Sequence, residues 1–306
     1  MVGTAPRTLA GMEVVRITPR GYCHGVVEAI RMAKHTGAEG GGEPITMIGL
    51  LVHNEHVTRE LQESGVRLVD APNRLAGLGE VDDGGTVIFT AHGVSPAVVE
   101  EARRRGFTVV DATCSDVTRT HDLVRRLVDE GHEVVYIGKR GHPEPEGVIG
   151  VAPDHVTLIE SIDEVDKLDF PQGSRVAVTC QTTLSVWDTR AIIERLVERF
   201  PDIDVHNEIC LATQERQEAA VAAARDVDCV VVVGSRRSSN SRRLVQVVEE
   251  RAGKPAYLVD TAADLDVGWF RGIRRVGVTA GASTPTQITR AVIAALEAMP
   301  DEAATS

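Results

Sequence analysis

Three of the five cysteines in this 306-residue chain follow β-branched, strand-like runs and lie in short polar loops. They are Cys23, Cys114 and Cys210, and each precedes an amphipathic helical pattern. Thiolates are soft ligands that suit zinc or iron–sulfur clusters. Structural zinc sites usually contain cysteine pairs spaced C-x-x-C, and the sequence has no such pair. A 4Fe-4S cluster is the better match, and three cysteine ligands would leave one open iron able to act as a Lewis acid.

The other two cysteines are predicted to be structural, because cysteine in an α/β core usually serves as a small buried hydrophobe. Cys229 lies inside an apolar run that continues to Val233, and Cys180 ends the strand-like run 176–180. The comparable runs elsewhere in the chain do not end in cysteine. The sequence therefore predicts three functional thiols and two structural ones.

The loop 141–147 combines a histidine with two carboxylates between glycines and prolines. Most loops of this composition are surface turns. This loop follows an apolar run as His53 does, however, and a carboxylate whose pKa is raised by burial can donate a proton to a bound substrate. We expect Glu144 rather than Glu146 to act in this way, because Glu144 is closer to the repeated loop position.

Other strand-end loops carry groups suited to an anion. The segment 234–241 joins a four-valine run to a helical pattern, so Ser238, Ser239 and Asn240 are either ordinary N-caps or donors to a phosphate at a helix N-terminus. Ser283 lies in a similar segment, and the Gly-Lys-Ser/Thr of a nucleotide-binding Walker motif is missing from both. Imidazole donors to the same anion could come from three further loops, at His53, His92 and His142.

These loops recur in one order over three passes of the chain, and in each pass strand-like runs alternate with helical patterns. Such alternation predicts parallel α/β units, in which ligands gather at the carboxyl ends of the strands. We therefore expect an α/β fold of three similar modules around a pseudo-threefold axis. The expected modules are residues 12–110, 111–206 and 207–298, with mobile tails at 1–11 and 299–306.

The composition excludes several classes of partner. With 33 basic and 45 acidic residues, the net charge of −12 disfavours nucleic acid and anionic membranes, and an aromatic content of 3% leaves few rings to stack on bases. No apolar run reaches the roughly 18 residues of a membrane span. The N-terminal segment lacks the apolar core of a signal peptide, so we expect a cytoplasmic protein.

The motifs around these residues resemble those of the 4-hydroxy-3-methylbut-2-enyl diphosphate reductase family, the iron–sulfur reductases of the last step of the methylerythritol phosphate pathway. The resemblance extends from about Ile17 to about Ile288. It rests on nine segments in the same order: PRGYC at 19–23, VHN at 52–54, AHGV at 91–94, DATC at 111–114, GHPE at 141–144, QTTLS at 181–185, ICLAT at 209–213, SSNS at 238–241 and TAGAS at 279–283.

The resemblance implies a trefoil of α/β modules around one 4Fe-4S cluster with an open iron, held by Cys23, Cys114 and Cys210. It also implies that Glu144 is the proton donor and that Thr182 lies near the hydroxyl end of the substrate. The implied diphosphate ligands are His53, His92, His142, Ser238, Ser239, Asn240 and Ser283.

The implied reaction is the reductive dehydroxylation of 4-hydroxy-3-methylbut-2-enyl diphosphate to isopentenyl diphosphate and dimethylallyl diphosphate. A one-electron donor such as ferredoxin or flavodoxin would supply the electrons. The sequence departs from the family pattern at His24, Ser115 and Cys180, none of which is a proposed ligand. The alternative is an iron–sulfur redox sensor or electron carrier without substrate turnover, which would need the cysteines but neither Glu144 nor the anion-binding loops.

Overall fold

The computed structural model describes residues 12–39 and 44–299. The tail segments 1–11 and 300–306, for which the sequence predicts mobility, lie outside the described residues. The chain divides into two compact units. The terminal unit combines Met1–Tyr22 with Glu215–Ser306, and the central unit is Cys23–Gln214.

Each unit is built from parallel strands joined by helices. The strands are β1 (Glu13–Arg16), β2 (Ile45–Ile48), β3 (Val66–Val69), β4 (Thr86–Phe89), β5 (Thr108–Asp111), β6 (His132–Ile137), β7 (Val156–Ile159), β8 (Arg175–Cys180), β9 (Asp204–Val205), β10 (Cys229–Val233), β11 (Ala256–Val259) and β12 (Arg275–Ala280). The α-helices are α1 (His24–Glu39), α2 (Glu55–Glu63), α3 (Arg74–Gly79), α4 (Pro96–Arg104), α5 (Ser115–Asp129), α6 (Pro143–Ile149), α7 (Val186–Arg199), α8 (Leu211–Ala224), α9 (Ser239–Ala252) and α10 (Thr286–Glu297).

The strands form three four-stranded sheets with one shared topology. The central unit contains the sheets β3-β2-β4-β5 and β7-β6-β8-β9, and the terminal unit contains β11-β10-β12-β1. In each sheet one inner strand (β2, β6 or β10) pairs with the next two strands of the chain, and the second of these also pairs with an edge strand (β5, β9 or β1). The predicted α/β class with three similar modules is confirmed.

The strand β1 belongs to the sheet of the last module, although the sequence-based division placed it within residues 12–110. Its residues pair with β12, from Glu13 opposite Arg275 to Arg16 opposite Val278. It thereby takes the position that β5 and β9 take in the other two sheets. Pairing between the two ends of a chain leaves no local signal, so a division read along the sequence could not place this strand.

The central strands are buried on both faces, as parallel sheets covered by helices require. Every residue of β10 and β2 is buried. In the terminal unit the core around Val231 and Val278 includes Phe270, and in the central unit the core around Val178 includes Leu196. None of the described helices combines the length and apolar character needed to cross a membrane.

This topology fixes where functional side chains can stand. In open α/β sheets, ligands bind beyond the carboxyl ends of the strands where the strand order reverses, which here is between β2 and β4, between β6 and β8, and between β10 and β12. The loops that follow those six strands contain the predicted anion-binding and proton-donating residues, and the three cysteines follow β1, β5 and β9.

Candidate active site

The three candidate cysteines each stand directly before a helix. Cys23 precedes α1, Cys114 is the N-cap residue of α5, and Cys210 precedes α8. All three are partly buried. Unpaired N–H groups give a helix N-terminus partial positive charge, which favours a thiolate. The fold thus places each cysteine at the positive end of a helix dipole.

Backbone hydrogen bonds hold two of the cysteine loops against neighbouring strand-end loops. The N–H of Cys114 donates to the carbonyl of Ala91 (3.1 Å), and the N–H of Cys210 donates to the carbonyl of Thr182 (3.1 Å). Helix α1 also approaches Cys114 closely, because a Cβ on Gly25 would lie 2.3 Å from the Cys114 sulfur. Glycine at position 25 therefore leaves the space that this sulfur occupies.

Burial disfavours free thiolates at this point of the central unit. It raises the pKa of Cys114 to about 11 against the lowering effect of a backbone hydrogen bond from Asp116, and it also raises the pKa of Cys210. The carboxylate charge of Asp116 and the thiol of Cys23 add to the increase at both thiols. Cys23 is therefore close enough to act on both other thiols. Soft sulfur ligands that need a cation to ionise fit a metal cluster, because coordination deprotonates a thiol outright.

Cys114 also belongs to a group of potential metal ligands that contains neither Cys23 nor Cys210. Ligand atoms of His24, Cys114 and Asp116 lie within 4.8 Å of one another. Asp116 is partly buried and forms an ion pair of 3.1 Å with Arg119. Cys114 therefore has a charged neighbour, Asp116, that lies outside its DATC motif.

Three histidine rings from different loops form a cluster in the central unit. The ring centroids of His53 and His92 are 4.3 Å apart, and the centroids of His53 and His142, and of His92 and His142, are 5.2 and 5.4 Å apart. Their ligand nitrogens lie within 4.8 Å of one another, which would suit a metal ion as well as an anion. The structure thus brings together the three histidines that the sequence singled out.

The electrostatics of this cluster favour an anionic ligand. Burial holds the pKa of His92 well below its ordinary value, and His53, His142 and the cation of Arg74 lower it further. The Arg74 cation, which helps to keep the buried His92 imidazole neutral, would stabilise negative charge placed beside it. His142 accepts a hydrogen bond at Nδ1 from the backbone N–H of Glu144 (3.2 Å), so its Nε2 is the nitrogen that carries the ring proton.

Glu144 is enclosed by protein and held in one orientation. Its side chain is 1% exposed, and its two oxygens accept hydrogen bonds from Thr182, one from the backbone N–H (2.8 Å) and one from the hydroxyl (3.1 Å). Burial raises the pKa of Glu144 to about 7 against the lowering effect of these bonds, and Asp116 adds a small increase. A carboxyl group with this pKa is partly protonated at neutral pH, as a proton donor needs to be.

Gln181 fixes the loop that carries Thr182. Its buried side chain accepts a hydrogen bond from the N–H of Lys139 (2.9 Å) and donates one to the hydroxyl of Thr183 (3.1 Å). The loops after β6 and β8 are therefore tied together beside Glu144.

The terminal unit places neutral donors at the equivalent strand ends. Ser238 caps α9 by accepting a hydrogen bond from the N–H of Ser241 (3.2 Å), and Ser239 is the first residue of that helix. Asn240 is 5% exposed, and its amide nitrogen and oxygen have no hydrogen-bond partner among the described residues. The hydroxyl of Ser283 is likewise buried without a partner in this part of the chain. Orphaned buried donors cost free energy unless a ligand satisfies them.

Two glycines create the space in which these loops meet. A Cβ on Gly234 would lie 2.2 Å from the hydroxyl oxygen of Ser241, and a Cβ on Gly281 would lie 2.1 Å from the same atom. The loops after β10 and β12 therefore converge on the first turn of α9 within the terminal unit.

Three polar residues near the candidate sites were missed by sequence reasoning. Asp116 influences Cys114, Cys210 and Glu144, and Arg74 influences His92. Ser241 is fully buried with an unpartnered hydroxyl. An acid two residues after DATC and a lone arginine in an apolar segment were the available signals. Cys180 and Cys229, predicted to be structural, are both buried, and the Cys180 thiol donates to the side-chain oxygen of Asn207 (3.4 Å).

Two solved structures resemble this fold over most of its length. One is the E-1-hydroxy-2-methyl-but-2-enyl-4-diphosphate reductase from Plasmodium falciparum, with a TM-score of 0.87 and 33% identity over 92% of this chain and 86% of that one. The other is an (E)-4-hydroxy-3-methyl-but-2-enyl diphosphate reductase, the terminal enzyme of the non-mevalonate pathway. It has a TM-score of 0.66 and 30% identity over 94% of this chain and all of that one (100%).

Sequence comparison points to the same group. Residues 14–297 match the family described as LytB protein, which is an iron–sulfur enzyme family. The 4-hydroxy-3-methylbut-2-enyl diphosphate reductase of Symbiobacterium thermophilum is 55% identical over 94% of this chain and 97% of its own length. The reductase of the same name from Anoxybacillus flavithermus is 53% identical over 94% of this chain and 90% of its own. The chain therefore belongs to the LytB family of 4-hydroxy-3-methylbut-2-enyl diphosphate reductases, as its motifs predict.

Proposed function

We propose that this protein reduces 4-hydroxy-3-methylbut-2-enyl diphosphate to isopentenyl diphosphate and dimethylallyl diphosphate, the last step of the methylerythritol phosphate pathway. The substrate takes up two electrons and two protons and loses its hydroxyl group as water. The observation that carries the proposal is Glu144, a buried carboxyl with a pKa of about 7, held by Thr182. Its loop also carries His142 of the histidine cluster.

Cys23, Cys114 and Cys210 are the proposed ligands of one 4Fe-4S cluster with an open iron. Their partial burial, the effect of Cys23 on the pKa values of Cys114 and Cys210, and the space left by Gly25 support this assignment. Such a cluster supplies electrons one at a time and a Lewis-acid position for an oxygen ligand. The electrons would come from a one-electron donor such as ferredoxin or flavodoxin, and the predicted cytoplasmic location is part of the same proposal.

The proposed ligands of the diphosphate are of two kinds. His53, His92 and His142 supply ring N–H groups in the central unit, where His92 is kept uncharged by burial. Hydroxyl and amide groups of the terminal unit supply uncharged donors next to the N-terminus of α9, at Ser238, Ser239, Asn240 and Ser283. The unpartnered polar atoms of Asn240 and Ser283 support this role, because a phosphate oxygen would satisfy them.

Glu144 is the proposed proton donor. Hydroxide is a poor leaving group, so a proton must reach the oxygen as the carbon–oxygen bond breaks. Thr182 orients the Glu144 carboxyl through two hydrogen bonds and can return a proton to it through the hydroxyl. Burial keeps this proton from solvent until substrate is in place.

The competing function is an iron–sulfur sensor or electron carrier. It would account for the cysteines, but it gives no use to a buried proton donor or to unpartnered donors at two strand ends of the terminal unit.

The test is anaerobic purification followed by iron analysis, a visible spectrum and turnover of the allylic diphosphate with reduced methyl viologen. We expect about four irons per chain, a broad absorption from iron–sulfur bonds, and both C5 diphosphate products by mass spectrometry. A protein that contains the cluster but leaves the substrate unchanged would contradict the proposal and favour the sensor.

A further inference from the structure

A cavity of about 630 Å³ lies in the terminal unit. It is formed by the segment that follows β1 and by one face of α10. Its lining includes Arg16, Thr18, Arg20, Gly21, Arg290 and Glu297. Neither the cysteines nor the proposed diphosphate ligands contribute to it.

The cavity is positively charged in a chain of net charge −12. Three arginines and one acid line the cavity. One of the arginines, Arg16, forms an ion pair of 2.8 Å with the acid, Glu297. Arg290 is exposed and has no ion-pair partner among the described residues. Its charge is therefore available to an outside partner.

The positive charge is also held in place. The Arg20 guanidinium donates to the carbonyl of Ile17 (3.1 Å) and to the hydroxyl of Thr18 (2.8 Å), which fixes its side chain. The buried Arg216 donates to the carbonyl of Gly21 (2.8 Å) from behind the same segment. A fixed group of cations loses little conformational entropy when an anionic surface binds to it.

The segment that forms this cavity continues directly into the first candidate cluster ligand. Gly21 lines the cavity, and Cys23 follows two residues later in the chain. An electron carrier that binds here would therefore contact the peptide that leads to a proposed iron ligand. Transient electron-transfer complexes bury little surface and depend on charge for their orientation, which suits half-exposed arginines.

We propose that this cavity is the docking surface for an acidic one-electron carrier protein of the ferredoxin or flavodoxin type. The proposal rests on the proposed function, since the reductase reaction consumes two electrons that a carrier must supply. Because the whole chain repels an acidic protein, a local group of arginines is what would select one productive orientation. Each turnover would oxidise two reduced carriers by one electron each.

The test measures binding of a plant-type 2Fe-2S ferredoxin to the cluster-loaded enzyme by anaerobic calorimetry at low salt. Arg290→Glu is expected to weaken binding about tenfold, and Arg20→Ala about threefold, through lost charge attraction. Glu297→Gln removes the opposing acid and is expected to tighten binding about threefold. All three differences should shrink in about 0.5 M salt, where screening is strong.

Arg59→Glu is the matched control, because Arg59 is an exposed arginine on α2 of the central unit and the change in net charge equals that of Arg290→Glu. We expect it to bind ferredoxin within about twofold of the wild-type affinity. Turnover driven by reduced methyl viologen, a small cation that needs no arginine site, should be normal in every variant.

Equal weakening by Arg59→Glu and Arg290→Glu, or wild-type affinity in both Arg290→Glu and Glu297→Gln, would overturn the docking surface while viologen-driven turnover stands. Absence of viologen-driven turnover in the wild-type protein would instead overturn the proposed function. The two failures are therefore distinguishable.

Discussion

The central and terminal units use the same strand order but fill equivalent strand-end loops with different chemistry. In the central unit the candidate residues are mostly titratable: three thiols, three imidazoles and the Glu144 carboxyl. In the terminal unit they are hydroxyl and amide groups, with Asn240 and Ser283 buried and unpartnered among the described residues. One topology thus supports two kinds of site.

This difference separates chemistry from binding. Hydroxyl and amide groups keep the same charge over the working pH range, so donors such as Asn240 hold an anion equally well throughout it. The thiol, imidazole and carboxyl groups of the central unit change their charge with pH or when a metal binds. Burial raises the pKa values of two of them, Cys114 and Glu144. Variants of the cysteines and of Glu144 in the central unit should therefore change the reaction, and variants of the neutral donors in the terminal unit should change affinity.

The largest expected effect is the loss of a thiol from the central unit. Cys114→Ser should lose most of its iron and its reductase activity, because serine is a poor replacement for a thiolate ligand. Cys23→Ser and Cys210→Ser should behave alike. Iron analysis and the visible spectrum after anaerobic purification are the measurements.

Cys229→Ser is the control for this series, since Cys229 is a buried core cysteine that we do not expect to bind iron. It should keep its chromophore. Full iron content and activity in Cys114→Ser would contradict the assignment of Cys114 as a cluster ligand.

The next effect in size is expected at the proton donor. Glu144→Gln keeps the shape and one hydrogen-bond acceptor of the side chain but cannot deliver a proton, so kcat should fall about 10²–10⁴-fold. Cluster content and substrate affinity should change little. Steady-state turnover with reduced methyl viologen, together with a binding titration, measures both.

Glu146→Gln provides a matched comparison in the same helix. The Glu146 carboxylate accepts a hydrogen bond from the backbone N–H of Arg74 (3.4 Å) and interacts with the charge of Arg74, so its loss should affect packing more than proton transfer. A larger fall in kcat for Glu146→Gln than for Glu144→Gln would reverse the assignment of the proton donor.

A smaller effect is expected from single diphosphate ligands of the two units. Asn240→Ala and His53→Ala should each weaken substrate binding by about 1–3 kcal/mol, the range for one hydrogen bond to a charged group. The spectrum of the unliganded cluster should be unchanged in both. Calorimetry with inorganic diphosphate measures the loss, and unaltered affinity in both variants would remove the anion-binding assignment.

Much of this arrangement could be predicted from the sequence. The strand-like runs and their repeated order predict the parallel modules, and their ends predict loops such as those of Cys114 and His142. The position of β1 could not be predicted, because its pairing with β12 joins opposite ends of the chain. The charges of Arg74 and Asp116 were missed for a related reason, since their effect depends on burial and on neighbours from other elements.

The assignment of proton chemistry to Glu144 in the central unit is tested most directly by the pH dependence of kcat/KM, with reduced methyl viologen as electron donor. The donor must be protonated, and burial raises the pKa of Glu144 to about 7, so kcat/KM of the wild-type protein should fall as pH rises above about 7. Asn240→Ala should show a lower kcat/KM with the same decline, and Glu144→Gln should lose the decline. A decline that persists in Glu144→Gln, or one that disappears in Asn240→Ala, would contradict the assignment of proton chemistry to the central unit.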